Sequence, residues 1–331
     1  MNKSFTELTH STINNNNILK VAICVAFLIA LPVFIKNAFL LHMVILVFIY
    51  GILGLSWNLI GGYTGQVSFM QAIFFGIGAY TSSVLWTKFG VSPWVGIFVG
   101  ACIAVIISIF IGILVFRLKG HYFAIATLAL GEIIITLVRR WDFIGGATGL
   151  YIPMEEEGLI NFQFHNSKIG YYYVSFGLFI FAVLLSYTIN NSKLGYYFKA
   201  IKENDVAARS LGIDVTRNKL FAFALSASIA ALAGTFYAQY TLYIDPESVL
   251  SITISLQVCF IVILGGVGTI TGPIIGAAVL IVLQQFVSAY FGGSRAIHLI
   301  IYGGSIILLQ VFEPDGLVAI YKKLYKKVMK I

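Results

Sequence analysis

One acidic side chain stands alone in an apolar stretch of this sequence. Glu132 lies within residues 124–138, which carry no other charged residue. A carboxylate is costly to bury in such a stretch, so it is by default a functional candidate. Its candidate partners are Arg139 and Arg140, about two helical turns further along, or a group on another helix. A purely structural bond between two helices explains Glu132 equally well.

Two glycine-rich segments interrupt the longest apolar runs. Residues 61–68 read GGYTGQVS and residues 265–273 read GGVGTITGP. Within a membrane, irregular backbone must be buried in protein or line a cavity, and broken helices often mark transport sites. A tight turn at the surface is the alternative, and helix packing explains the small and polar residues nearby equally simply. The candidate path residues are Gly61, Gly62, Gly65, Gln66, Ser68, Gln71, Glu132, Gly265, Gly266 and Gly268.

A long basic segment could bind a partner. Residues 192–216 read SKLGYYFKAIKENDVAARSLGIDVT. Their spacing predicts an amphipathic helix with an apolar face made by Leu194, Phe198, Ile201, Ala208 and Leu211. Gly212 suits the end of such a helix. A short amphipathic helix is a docking surface for a soluble partner, or else it lies at the lipid interface with its lysines on headgroups.

Signatures of catalysis and metal binding are missing from the sequence. There is no G-x-x-x-x-G-K-[ST] phosphate loop and no H-E-x-x-H helix, no G-x-S-x-G nucleophile elbow and no TVGYG filter. The five histidines are scattered, and the three cysteines show no C-x-x-C spacing. We therefore expect no enzyme activity, no metal site and no cofactor in this chain.

Composition places these candidates in a membrane. Of the 331 residues, 59% are hydrophobic and only 10% are charged, and the mean hydropathy is +0.94. Residues 37–87 and 248–294 contain no Asp, Glu, Lys or Arg. A membrane helix needs about 20 apolar residues, so each of these runs predicts two helices joined by a turn. Uninterrupted apolar runs exclude the alternating strands of a barrel; the composition also excludes a soluble enzyme and a disordered protein.

The sequence predicts an all-α polytopic bundle of about ten spans as the simplest count, with eight or nine full crossings as the alternative. The segment 249–265 is short enough to be broken or tilted. We expect a polar cytoplasmic segment at 1–18, a transmembrane domain at 19–318 and a basic tail at 319–331. The predicted spans are 19–35, 38–61, 66–87, 93–116, 121–138, 171–189, 217–241, 249–265, 271–291 and 296–312.

Loop charges predict the orientation of these spans. Lysines in the tail and basic residues in the loop 190–218 place both segments in the cytoplasm. The loop 139–170, which contains Glu155, Glu156 and Glu157, then lies outside, and both termini lie inside. The net charge of +8 is thereby explained by topology, and nothing in the sequence indicates nucleic-acid binding.

Several segments resemble a known transporter family. Residues 117–134, RLKGHYFAIATLALGEII, resemble the signature of permeases from branched-chain amino acid ABC importers. Further similar segments follow in the expected order, and together they cover roughly residues 40–320. The resemblance is specifically to the larger, M-type permease of such importers. These further segments are 58–80, 145–150, 198–212, 244–248, 263–273 and 313–317.

The resemblance implies partners and a mechanism. Such importers contain two permeases, two cytoplasmic ATPases that use ATP and Mg²⁺, and an extracytoplasmic binding protein, all at the bacterial cytoplasmic (inner) membrane. Residues 206–212, VAARSLG, resemble the E-A-A-x-x-x-G motif that docks on an ATPase, although Val206 replaces the Glu. The implied coupling residues are Phe198, Ile201, Lys202, Glu203, Ala207, Ala208, Arg209 and Gly212.

The resemblance specifies the transporter class more narrowly than the substrate, because related permeases carry urea or short amides. It places the amino-acid path near residues 61–71 and 265–273. An ion-driven secondary transporter is a further alternative, but it would require several intramembrane acids, and only Glu132 qualifies. A membrane-embedded enzyme would require a polar catalytic cluster, and none is visible.

Overall fold

The computed structural model describes residues 15–35, 37–118, 120–164 and 166–290, together with residues 300, 303, 304, 307 and 316–318. The predicted N-terminal segment 1–18, the tenth predicted span (296–312), the similar segment 313–317 and the basic tail 319–331 lie wholly or mostly outside this range.

Helices dominate the described chain, as the sequence predicts. A π-helical turn, Asn58–Gly62, continues α2, and one short antiparallel ribbon pairs β1 (Leu150–Tyr151) with β2 (Tyr243–Ile244). The helices are α1 (Asn15–Phe34), α2 (Ala38–Trp57), α3 (Gln71–Phe89), α4 (Pro93–Val115), α5 (His121–Arg139), α6 (Lys168–Asn190), α7 (Lys193–Glu203), α8 (Asp205–Ser210), α9 (Val215–Thr241), α10 (Pro246–Leu250), α11 (Ile252–Gly265) and α12 (Thr271–Tyr290).

The long helices run back and forth between two ends of a bundle. We call the end that carries residues 191–214 the basic end. The opposite end carries residues 140–167, where Trp94 Nε1 at the start of α4 donates to Leu159 O at 2.5 Å. The chain therefore leaves the bundle at the basic end after α2, α4, α6 and α11.

Seven helical segments of the described chain are long and apolar enough to cross a membrane, which confirms an all-α, multi-pass membrane protein. The helices α1 and α3 occupy predicted spans but are not among the seven, and the apolar part of α1 is the shorter segment Val25–Phe34. The segments that qualify are Ala38–Gly62, Pro93–Val115, His121–Arg139, Lys168–Asn190, Val215–Thr241, Pro246–Gly265 and Thr271–Tyr290.

The low hydropathy of α3 follows from its position in the bundle. It packs tightly on α9: a Cβ built on Gly78 would lie 2.0 Å from Ala231 O, so only glycine fits there. Ser82 and Ser83 are buried on α3, and Thr235 Oγ1 of α9 donates to Gly78 O at 3.0 Å. A helix that is enclosed by protein can carry polar residues that lipid would disfavour.

Two predicted spans differ from the observed elements. In the span predicted at 66–87, residues 65–70 are non-helical and the helix begins at Gln71. The segment 249–265 is broken, as its length suggested: Ser251 separates α10 from α11, and its hydroxyl accepts from Thr253 N at 3.2 Å. Residues 246–265 together still provide a length of 20 residues for crossing.

Candidate functional site

The two glycine segments, about 200 positions apart in sequence, meet at the basic end. Asn58, in the π-helical turn, holds them together with its amide. Its Nδ2 donates to Thr269 O at 2.9 Å, and its Oδ1 accepts from Gly268 N at 2.8 Å. We call this contact the glycine junction.

Gly62 is required by this close approach. A Cβ at position 62 would lie 1.9 Å from Asn58 Oδ1 and 2.9 Å from Gly268 N. Any larger residue must therefore displace the Asn58 amide or separate the two segments. Gly62 and Gly268 are candidate path residues from the sequence, whereas Asn58 and Thr269 are not, because a single Asn or Thr near a helix end has no distinguishing pattern.

The first glycine segment is folded into the protein rather than lying as a turn on its surface. Gly61, Gly62 and Ser68 are buried, although Gly65 and Gln66 are more accessible. Trp57 Nε1 donates to Ser68 O at 2.8 Å, and Gln66 N donates to Ile60 O at 3.1 Å. The irregular backbone thus finds hydrogen-bond partners within the chain.

Tyr63 directly follows the buried glycines Gly61 and Gly62 in the chain. Its side chain is 1% exposed, and its hydroxyl has no hydrogen-bond partner among the described residues. Burial raises the pKa of the Tyr63 phenol to about 12. The ring therefore remains neutral and acts as packing for the junction.

The second glycine segment folds back on itself after α11. Gly265 is the last residue of α11, and Gly266 and Gly268 have positive φ values of 131° and 80°. Thr269 Oγ1 donates to Gly266 O at 2.8 Å and accepts from Gly272 N at 3.0 Å. These bonds close a compact turn that leads directly into α12.

Gln71 lies in a polar cluster between four helices. Its Nε2 donates to Ser56 Oγ of α2 and to Ser226 Oγ of α9, the latter at 3.1 Å. Next to it, Ala72 N donates to Ser255 Oγ of α11 at 2.9 Å. All four polar side chains are buried. Gln71 therefore ties α3 to its neighbours, and its amide is not free to face a cavity.

Glu132 lies on an exposed side of α5, near residues that follow the first glycine segment. It borders a small depression together with Phe69, Ile73 and Leu250, and Phe69 N donates to Thr127 Oγ1 of α5 at 3.2 Å. No described residue makes a hydrogen bond or ion pair with the Glu132 side chain. Arg139, one of its expected partners, instead pairs with Glu247 of α10.

The basic segment forms two helices, not the single helix that its apolar pattern predicts. Asn204 has an extended backbone between α7 and α8, and its Oδ1 accepts from Val206 N at 2.9 Å and from Ala207 N at 3.0 Å. This N-cap starts a new helix. Leu211 consequently points away from the predicted apolar face and is 79% exposed. Gly212 ends α8 with φ of +82°, as expected of a C-cap.

The predicted coupling residues divide into two groups. Phe198, Ile201 and Ala208 are buried within the chain, so they position the segment and offer no surface to a partner. Glu203, Ala207, Arg209 and Gly212 are exposed. Val206 and Leu211 are also exposed and add apolar surface beside these four residues. The single predicted helix places Leu211 on its apolar face and does not assign Val206.

Lys202 connects this segment to the glycine junction. A Cβ built on Gly65 would lie 3.2 Å from Lys202 Cγ, and one built on Gly268 would lie 3.4 Å from Lys202 Nζ. The side chain therefore lies against both glycine segments. The structure brings together the basic segment and the two glycine segments, while Glu132 of α5 lies near Phe69, just after the first of these.

Comparison with known proteins assigns the family. The model of the branched-chain amino acid transport system permease component matches residues 39–310. LivM, the high-affinity branched-chain amino acid transport system permease protein of Escherichia coli K12, is 30% identical over 294 residues, covering 82% of this chain and 68% of the relative. LivM of Salmonella typhimurium is 29% identical over 81% of this chain and 67% of its own length.

A probable branched-chain amino acid transport permease LivM of Methanocaldococcus jannaschii is 24% identical, covering 88% of this chain and 98% of its own. The match to the family model extends from the start of α2 through the glycine junction, α5, the coupling segment and beyond α12. By sequence, the chain belongs to the permease components of branched-chain amino acid ABC transport systems.

Proposed function

We propose that this chain is the larger permease subunit of an ABC importer for branched-chain amino acids in the bacterial cytoplasmic (inner) membrane. The family supports the importer, and the names of the relatives support the substrate. The observation that carries the proposal is the contact of Lys202 with both glycine segments. Lys202 thus connects the surface of α7, which a soluble ATPase can reach, with the non-helical backbone of the two glycine segments.

The coupling surface consists of the exposed side of α7 and α8. Val206 and Leu211 are 70% and 79% exposed, and with the exposed Ala207 they give this side apolar area for a docking partner. ATP and Mg²⁺ are used by the two ATPases that dock here, and this chain needs no cofactor of its own. When the ATPases close, movement of α7 reaches the glycine junction through Lys202.

The translocation path runs beside α3, α5 and α10, where Glu132 borders a small depression with Phe69 and Leu250. A lone carboxylate facing lipid at mid-span costs about 2.5–3.5 kcal/mol on insertion scales. The exposed side of α5 is therefore covered by a second permease chain, with a hydrated passage between the two. Tyr122 and Ile125 on the same helix, which are 73% and 62% exposed, provide apolar contact area for that partner.

The remaining assignments follow from charge. The basic end faces the cytoplasm, both termini are inside, and an extracytoplasmic binding protein delivers the substrate at the opposite end. Residues 192–216 provide the coupling loop of a permease domain that covers 19–318. The chain is a transport subunit and not an enzyme.

The decisive experiment is purification of the tagged chain in a gentle detergent, followed by mass spectrometry and an ATPase assay. We expect a second permease and two ATPases to co-purify, and leucine-loaded binding protein to stimulate ATP hydrolysis. Stimulation by a binding protein loaded with urea or a short amide instead would indicate that the importer carries that class of substrate. A chain that purifies alone and transports along an ion gradient would refute the ABC assignment.

A further inference from the structure

A groove near the basic end has no role in the proposed transport function. It lies between α4 and α9, next to α7, and has a volume of about 500 Å³. Arg217 and Tyr197 line it together with the apolar side chains of Ile109, Phe221 and Ala224. Two of its walls are therefore helices that qualify as membrane spans.

Polarity changes with depth along this groove. Arg217 lies in the first turn of α9, which begins at Val215. Phe221 and Ala224 lie further along the helix, about 9 and 13 Å past its start at 1.5 Å per residue. Ile109 lies six residues before the end of α4 at Val115, at a similar depth. The groove thus has a polar mouth at the end of the bundle and an apolar interior along the spans.

The mouth offers an unpaired cation. The Arg217 guanidinium makes no hydrogen bond or ion pair with the described residues. The carboxylate at the mouth, Asp214, is already used as the N-cap of α9: its Oδ1 accepts from Arg217 N at 3.0 Å. Asn218 Nδ2 donates to Asp214 O at 2.8 Å, which fixes the same turn. Arginine in a free, fork-like geometry is suited to a phosphate group.

We propose that this groove binds an anionic phospholipid, with its phosphate at Arg217 and one acyl chain along Phe221, Ala224 and Ile109. A soluble ATPase cannot reach an apolar wall that extends more than two helical turns into a span. A phospholipid matches the polar mouth and apolar interior of the groove, because its charged headgroup is followed by an apolar acyl chain. Because Leu194 and Tyr197 of α7 also line the groove, the lipid contacts the helix that carries Lys202.

The test measures lipid retention by the complete, purified complex. The complex is equilibrated in nanodiscs of phosphatidylglycerol and phosphatidylcholine, extracted in mild detergent and analysed by native mass spectrometry. We expect Arg217→Gln to reduce retained phosphatidylglycerol at least fivefold and Ala224→Phe, which fills the groove, to do the same. Lys199→Gln, which removes an exposed cation of α7 outside the groove, is the matched control and should retain the wild-type amount.

A second measurement does not depend on the stability of these variants. A photoreactive benzoylphenylalanine replaces Phe221 in the otherwise wild-type chain and is irradiated in native membranes. A phospholipid adduct is the expected product. An adduct with a second protein chain, or equal phosphatidylglycerol retention by wild type and Arg217→Gln, would overturn the proposal, while leaving the transport assignment intact.

Discussion

Replacing Gly62 by alanine should separate the two glycine segments. The new Cβ would lie 1.9 Å from Asn58 Oδ1, so the amide must rotate away from Gly268 N and Thr269 O, to which it bonds at 2.8 and 2.9 Å. Losing the two bonds leaves the part-buried Gly268 N and Thr269 O without the Asn58 amide, at roughly 1–3 kcal/mol for each group and about 2–6 kcal/mol in total. We therefore expect a large loss of thermal stability of the detergent-purified chain.

A double-mutant cycle tests the reason for that loss. Asn58→Ala removes the same two hydrogen bonds without adding volume at position 62. Because Gly62→Ala acts mainly by displacing the amide, it should cost much less in the Asn58→Ala background, where the 1.9 Å clash with Asn58 is gone and the 2.9 Å approach to Gly268 N remains. The interaction term should be about 1–3 kcal/mol, the range for residues in direct contact.

The assay is size-exclusion chromatography of fluorescently tagged protein after heating, with the midpoint temperature as readout. Gly177→Ala is the matched control, since nothing lies within 4 Å of its Cβ position in α6. That change should be neutral or slightly stabilising because alanine favours helix. Fully additive losses for Gly62→Ala and Asn58→Ala would refute the role of the Asn58 amide in joining the segments.

Three further predictions concern transport by the reconstituted importer. Lys202→Ala should lower the amount of substrate imported per ATP hydrolysed, because it removes the aliphatic part of the side chain that lies against Gly65. Lys202→Met keeps that aliphatic part and should preserve more of this ratio. Equal ratios in both variants would contradict the role of the aliphatic part. Leu211→Asp should weaken ATPase retention in a pull-down at least tenfold, because burying one leucine at an interface contributes about 1.5–3 kcal/mol. The control is Met154→Asp, which should retain the ATPases, since Met154 is 72% exposed at the opposite end of the bundle. Glu132→Gln should reduce uptake severalfold with the assembly intact, and loss of the second permease chain would instead show that Glu132 holds an interface.

The sequence alone is sufficient to predict the membrane-spanning helices. Runs such as 93–116 are too long and too apolar for anything but a buried span, and the observed α4 differs from that run by a single residue. Local signals also hold at helix ends: Gly212 was expected at a C-cap, and its φ of +82° confirms it. These features depend on neighbouring residues in the chain, so their physical causes are visible in the sequence.

Tertiary packing decides which of the candidate residues meet. The bonds from Asn58 to Gly268 and Thr269 join positions more than 200 residues apart, and Arg139 pairs with Glu247 of another helix instead of Glu132. Asn204 divides the basic segment, which turns Leu211 outward and leaves Ala208 buried. Periodicity and loop charge describe one segment at a time, whereas these contacts depend on how helices distant in sequence pack against each other.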